Sequence, residues 1–328
     1  MATARTLVIG GNGVIGHFVT RQLVAAGERP VVMSPSGSTD LIADIVGDVD
    51  VVRGSIADAS ALEAALGAHG ITRIAHMGAM LHSVAEADPG AAAQIGVQGT
   101  ANVLEAARRC GVKRVIFTSS KAVYGPVSGE YGHPTYRPLT EDLCPRPASV
   151  YGIMKLCGEQ LGRWYRQRHG LEFAAIRFGS TVGPGKLRRH VGTNVHSTMI
   201  ENTMLGRPTR VATGGEAVTD TIYNNDAARG VVAALEAPAL RSDIFNIATG
   251  AGITLSDFAD AIREIFVDTA IEIGPGTQYL RPDSTGHCVM DITRARDELG
   301  YVPNLDITGW VRDYIETMKR LRFEPTSA

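Results

Sequence analysis

The sequence predicts an α/β fold, a doubly wound parallel sheet followed by a smaller, loop-rich region. Three observations predict it. Apolar, β-prone runs alternate with helical patterns from residue 6 onward, the runs are apolar throughout, and a glycine-rich turn joins the first run to the first helix. A strand with no polar face needs cover on both sides, which the helices of successive βαβ units supply.

Taken in order, strands are expected at 6–10, 30–33, 49–53, 73–77, 114–119 and 173–178. Helices are expected at 14–26, 59–69, 90–110 and 151–169. Beyond Gly183-Pro184-Gly185 glycines, prolines and short elements take over, and a basic loop carries Lys186, Arg188, Arg189 and His190. A nucleotide-binding unit is therefore expected over 1–180, with segments near 215–248 returning to it, and a smaller substrate-binding region over 181–328. A strand at 243–248 and helices at 255–266 and 307–321 complete the pattern. The stretch 125–147, rich in Gly, Pro and Tyr, reads as a long loop of the kind that carries function.

The 328 residues, 44% of them hydrophobic, can bury a large core. A net charge of −2, from 32 basic and 34 acidic residues, provides no field to recruit nucleic acid or an anionic membrane. Cys110, Cys144, Cys157 and Cys288 show no C-x-x-C spacing and are too few for a disulfide framework, so a cytoplasmic, reducing location is expected. No run approaches the roughly 18 apolar residues of a membrane span, and neither a signal peptide nor a transmembrane helix is expected. Histidines and acids lack metal-ligand spacing, so no metal is expected.

The turn Gly10-Gly11-Asn12-Gly13-Val14-Ile15-Gly16 closes the first strand and opens an amphipathic helix. Gly10 permits the bend, Gly13 lets backbone approach a diphosphate, and Gly16 allows close helix–sheet packing. Free N–H groups at the helix start then face the anion, which in this strand–turn–helix context points to a dinucleotide. An acid at the end of the second strand ordinarily binds the adenosine ribose; here Ser34 stands in its place. No arginine or lysine follows that strand to clamp a 2′-phosphate. NAD is the favoured cofactor, and NADP stays open.

Tyr151 and Lys155 lie four apart, on one face of a helix. An ammonium beside a phenol favours the phenolate and draws a group of intrinsic pKa about 10 toward proton transfer at neutral pH. The plain alternative is a partly buried tyrosine next to a solvated lysine. What decides between them is company: the glycine turn, and the cluster Thr118-Ser119-Ser120 at a strand end.

With these features in this order, the chain resembles the extended short-chain dehydrogenase/reductase family, the NAD-dependent epimerase/dehydratase group. Gly99-Thr100-Ala101-Asn102, Val123-Tyr124-Gly125, Val182-Gly183-Pro184-Gly185, Phe245-Asn246-Ile247-Ala248 and Arg281-Pro282 carry the resemblance along nearly the whole length. It implies a Rossmann-type sheet, Tyr151 as general acid/base, Lys155 as the residue that lowers its pKa and bonds the nicotinamide ribose, and Ser120 as the hydroxyl that holds the substrate oxygen. Ser119 is read as merely ending the strand. Met77, Gly78, Ala79 and Thr118 are expected along the cofactor, Phe178 and Thr181 by the nicotinamide, and Ser55 and Ile56 at the adenine. Lys121, Ser180, Asn194 and Arg281 are the candidate substrate residues.

Departures from the family pattern narrow the chemistry. Lys121 and Ala122 replace the acid and base that a dehydratase of the family needs, which speaks against dehydration. Thr219 replaces an arginine that anchors a diphosphate, leaving Arg281 and, as compensation, Arg188 or Arg189. Gly96 replaces an asparagine, a change that touches packing or a water path. Lys121 either steers a substrate anion or is solvated at the strand end, and His82 and His196 are read as satisfied structural histidines within reach of the cleft.

The leading expectation is an NAD(P)-dependent oxidoreductase that interconverts a secondary alcohol and a ketone on a sugar-like or polar hydroxylated small molecule. The alternative is a nucleotide-sugar 4-epimerase with tightly bound NAD, and the third reading is a non-catalytic dinucleotide-binding regulator. By analogy of fold, a homodimer is expected through helices 90–110 and 151–169, with Val103, Leu104 and Ala107 in the seam.

Overall fold

The computed structural model describes residues 4–189, 195–280 and 286–326. In chain order its first strands are β1 (Thr6–Ile9), β2 (Val31–Ser34), β3 (Asp50–Arg53), β4 (Arg73–His76), β5 (Arg114–Ser120) and β6 (Glu172–Phe178). There follow β7 (Ser180–Val182), β8 (Thr209–Val211), β9 (Thr221–Tyr223), β10 (Ile244–Ile247) and β11 (Ile271–Ile273). Seven of them form one parallel sheet in the order β10-β6-β5-β4-β1-β2-β3. The order reverses at β1, which pairs with β2 on one side and β4 on the other, and that reversal opens a crevice beyond the carboxyl ends of the strands.

Helices α1 (Gly16–Ala25), α2 (Ala59–His69), α3 (His82–Ala87), α4 (Pro89–Ala93), α5 (Gly99–Arg109) and α6 (Val150–His169) accompany the first six strands. Further on come α7 (Lys186–Arg189), α8 (Val195–Met204), α9 (Asn224–Glu236), α10 (Leu255–Arg263), α11 (Thr293–Leu299) and α12 (Ile307–Arg320). The pair α1 and α9 packs together, as does the pair α2 and α5, and two large apolar clusters result. Short parallel pairs, β7 with β9 and β8 with β11, stand outside the main sheet.

Helix α6 sets the height of the catalytic candidates above the sheet. Ser149 caps it, its Oγ accepting from the Gly152 N–H at 3.1 Å. Gly158 and Gly162 let it lie close: a Cβ there would stand 2.5 Å from the Phe117 ring and 2.0 Å from the Phe173 ring. Any larger residue lifts the helix or displaces a core aromatic.

One helix was expected at 90–110, and three pieces are found. Asp88 caps α4 by accepting from Ala91 N–H at 2.9 Å, a π-helical turn spans Gln94–Gln98, and α5 continues the chain. The wide turn follows from packing, because Gly96 faces Met154 of α6, where a Cβ would come within 2.6 Å of the sulfur. Thr100 Oγ1 donates to the Gly96 carbonyl at 2.7 Å and holds the turn.

Ser119 does more than end a strand. Its Oγ donates to Glu159 Oε1 at 2.6 Å, and Glu159 receives Arg177 in a two-pronged ion pair at 2.9 and 2.7 Å. Glu159 is 0% and Arg177 1% exposed. The guanidinium lies 4.8 Å over the Tyr124 ring, and Tyr124 OH donates to Asn246 at 2.7 Å. This network bolts β5, α6, β6 and β10 together beneath the catalytic helix.

The expected dimer seam is also corrected. Val103, Leu104 and Ala107 are fully buried in the monomer core, leaving Ile153 and Trp164, about half exposed on α6, as that helix's open apolar side chains.

Candidate active site

A cavity of about 400 Å³ lies over the carboxyl ends of β1, β2, β4 and β5. Every residue of the expected cofactor set except Thr181 lines it, from Gly10 through Ser34, Ser55 and Met77 to Tyr151, Lys155 and Phe178. The glycine turn has the shape a dinucleotide needs. Gly10 sits at φ +77°, and a Cβ on Gly16 would stand 2.0 Å from the Gly10 carbonyl, so the turn folds back on its own backbone and leaves the cavity floor bare. Leu81, Ile95 and Ser119 also line the cavity. Sequence reasoning missed Leu81 and Ile95 because the start of α3 and the π-helical turn carry no readable motif, and it read Ser119 only as a strand end.

Tyr151 and Lys155 line one end of this cavity, and Ser120, which does not line it, hydrogen-bonds the Tyr151 phenol. The Lys155 ammonium donates to the Thr118 carbonyl at 2.6 Å and stands 5.7 Å from the centre of the Tyr151 ring. Burial pulls the Lys155 pKa down to about 7, against which Glu159 acts upward. Burial pushes the Tyr151 phenol up, while its hydrogen bond with Ser120 pulls it down. Both groups are desolvated together, and the influence opposing burial on the tyrosine comes from Ser120. Helix α3 closes the far side, with the His82 ring 6.2 Å from that of Tyr151 and Glu86 accepting from the Tyr151 N–H at 3.4 Å.

The other side of the cleft carries two lysines and two histidines. Thr181 does not line the cavity; its carbonyl and hydroxyl accept from buried Lys186, the hydroxyl at 3.1 Å. Lys121 donates to the Gly286 carbonyl at 3.0 Å and is partly buried, which rules out a simply solvated side chain. Thr219, where an arginine was expected, hydrogen-bonds His287 Nδ1 at 2.5 Å. His196 is wedged between Phe258 and Tyr279, with ring centres 4.7 and 6.2 Å away, and its Nε2 is buried with no partner among the described residues, unlike the satisfied histidine expected. Lys186, His196 and His287 form no ion pair with a carboxylate among the described residues. Burial, reinforced by neighbouring cations, holds Lys186 near 8, His287 near 4 and His196 near 3.

Of the remaining candidates, Ser180 donates its N–H to the Asp220 carbonyl at 3.0 Å, and Arg188 turns to the C-terminal segment, donating to the Glu324 carbonyl at 2.6 Å. Asn194, Arg281 and His190 lie outside the described residues.

Residues 6–248 match the NAD dependent epimerase/dehydratase family. The chain belongs to that family. It is an NAD-dependent enzyme, and the sequence resemblance is borne out over nearly the whole chain. A UDP-glucose 4-epimerase of Mycolicibacterium smegmatis is 30% identical over 322 residues, covering 95% of this chain and 97% of the relative. A putative UDP-glucose 4-epimerase of Methanocaldococcus jannaschii is 26% identical, over 95% and 98% of the two chains. Among solved structures, the Thermotoga maritima UDP-glucose 4-epimerase with UDP-glucose superposes with a TM-score of 0.80 at 25% identity, covering 96% of this chain and 99% of that one. The Thermus thermophilus UDP-glucose 4-epimerase in complex with NAD gives 0.78 at 25% identity, with the same coverage. These relatives favour the epimerase alternative over a net oxidoreductase.

Proposed function

We propose that this family member is a nucleotide-sugar 4-epimerase that keeps its NAD. What carries the reading is the meeting of Tyr151, Ser120 and Lys155 at the end of a dinucleotide-shaped cavity in a chain similar along its length to UDP-glucose 4-epimerases. NAD held along the Gly10–Gly16 turn, with its ribose at Lys155, would supply the hydride acceptor and donor for the sugar carbon. Tyr151 takes the proton of the C4 hydroxyl and gives it back after the sugar has turned. Ser120 holds the reacting oxygen where charge develops, and Lys155, fixed to the Thr118 carbonyl, stays beside the phenol throughout. Lys186 adds positive charge on the side where a nucleotide diphosphate would lie, and His287, neutral there, offers a hydrogen bond. In this reading residues 1–180 with 215–248 serve the cofactor, and the rest of 181–328 serves the sugar.

Incubation with UDP-glucose or UDP-galactose and no added NAD is the test. Interconversion seen by NMR, with no change in free nicotinamide absorbance, is the expected result; no interconversion of either sugar would refute it.

A second reading, net oxidation of a polar alcohol, is favoured by one observation: Thr219 bonds His287 where the family places an arginine for the diphosphate. It requires stoichiometric reduction of added NAD. Both readings are proposed for a cytosolic homodimer, with Ile153 and Trp164 of α6 in place of the buried seam first expected. The four cysteines are free, and among the described residues no helix is long and apolar enough to cross a membrane.

A further inference from the structure

The adenosine end of the cavity differs from a site built for NAD alone. Such a site carries a carboxylate at the end of the second strand, which accepts from the ribose 2′-hydroxyl and repels a 2′-phosphate. Here no aspartate or glutamate lines the cavity among the described residues. Ser34, at the end of β2, is buried, and its hydroxyl already accepts twice: from Asn12 Nδ2 at 2.9 Å and from the Gly37 N–H at 3.1 Å. With both lone pairs engaged, the Ser34 hydroxyl has only its proton left to offer, and a lone donor seeks an acceptor-rich group. The Gly37 N–H is brought to Ser34 by a left-handed turn at φ +64°.

A cation stands beside it. Residue 53, at the end of β3, is in register with Ser34 across the sheet. Its side chain folds over the loop after β2, Arg53 Nε donating to the Pro35 carbonyl at 3.1 Å, next to exposed Ser36. Arg53 has no carboxylate partner among the described residues, so its outer guanidinium nitrogens remain available to an anion. A search along the sequence after the second strand misses this arginine because it arrives from the neighbouring strand.

We infer that Ser34, Ser36 and Arg53 form a phosphate subsite, so that this epimerase-family chain accepts the 2′-phosphate of NADP(H) as well as NAD(H). A phosphate oxygen would take the Ser34 proton, and a two-pronged contact with Arg53 is the geometry a guanidinium favours. The inference concerns the adenosine end and does not depend on which sugar or alcohol reacts at the nicotinamide end.

The test is calorimetric titration of cofactor-stripped protein with NAD⁺ and with NADP⁺, with circular dichroism to certify the fold. The wild type is expected to bind both with dissociation constants within about tenfold of one another. Arg53→Ala is expected to lower the ratio of NADP⁺ to NAD⁺ affinity by about tenfold or more, because Arg53 is exposed and its hydrogen bond to the Pro35 carbonyl leaves the outer guanidinium nitrogens to the phosphate. Ser34→Asp, which restores a carboxylate, is expected to lower that ratio by about 100-fold. If the wild type prefers NAD⁺ by more than about 100-fold, or if Arg53→Ala leaves the ratio as it was, the subsite does not exist.

Discussion

The two sides of the cleft are made differently. On the cofactor side the backbone does the shaping: glycines 10, 13 and 16, strand ends, and a cavity lining without a single carboxylate. On the substrate side the shaping is by polar side chains, with partly buried Lys121 and buried Lys186, His196 and His287 drawn from four separate stretches, the two lysines carrying the charge. The difference teaches where specificity resides. A backbone-lined cavity takes one cofactor scaffold, whereas a wall carrying two lysines favours an anionic substrate.

The cofactor side should break hardest. Glu159→Gln keeps the shape of the buried network but strands the Arg177 charge, and a loss of about 3–5 kcal/mol in urea denaturation is expected. A loss below 1 kcal/mol, on the order of an exposed pair, would mean that the network does not anchor α6.

The two sides should also answer pH in opposite ranges. Lys155 has a folded pKa near 7 against an unfolded value near 10.5, so the unfolded chain binds its proton more readily between these limits and stability rises with pH across them. Thermal denaturation of wild type at pH 7 and 9 should show a gain about 2 kcal/mol larger than that of Lys155→Met, in which the group is absent. Equal gains would place the ammonium in water.

His196 works at the acid end. Its folded pKa near 3 lies below the unfolded value near 6.5, so its contribution is whole above pH 6.5 and is lost as pH falls toward 3. His196→Phe, which keeps an aromatic between Phe258 and Tyr279, should reduce the stability lost between pH 7 and 5.5 by about 1 kcal/mol. An unaltered acid slope would show that the ring is not buried as described.

This contrast also explains what was legible in the sequence. The glycine turn, the alternation of strands and helices, and the Tyr151/Lys155 spacing are local patterns, and each lies within one element. Ser34 and Tyr151 were found because strand ends and helix faces can be counted along the chain. The Ser119–Glu159–Arg177 network, the Arg53 arm over Pro35 and the Thr219–His287 bond are contacts between residues 18 to 68 positions apart, set by sheet order and loop return. No local pattern marks them. The helix expected over 90–110 failed for a related reason, since the contact of Gly96 with Met154 that goes with the π-helical turn lies on another helix.

The most direct measurement is turnover of UDP-glucose by Tyr151→Phe, with bound cofactor assayed in the same sample. The account predicts a rate reduced by about 100-fold or more with the fold and cofactor content retained, since Ser120 and Lys155 would lose the proton carrier they position. A variant that turns over as fast as wild type would contradict it.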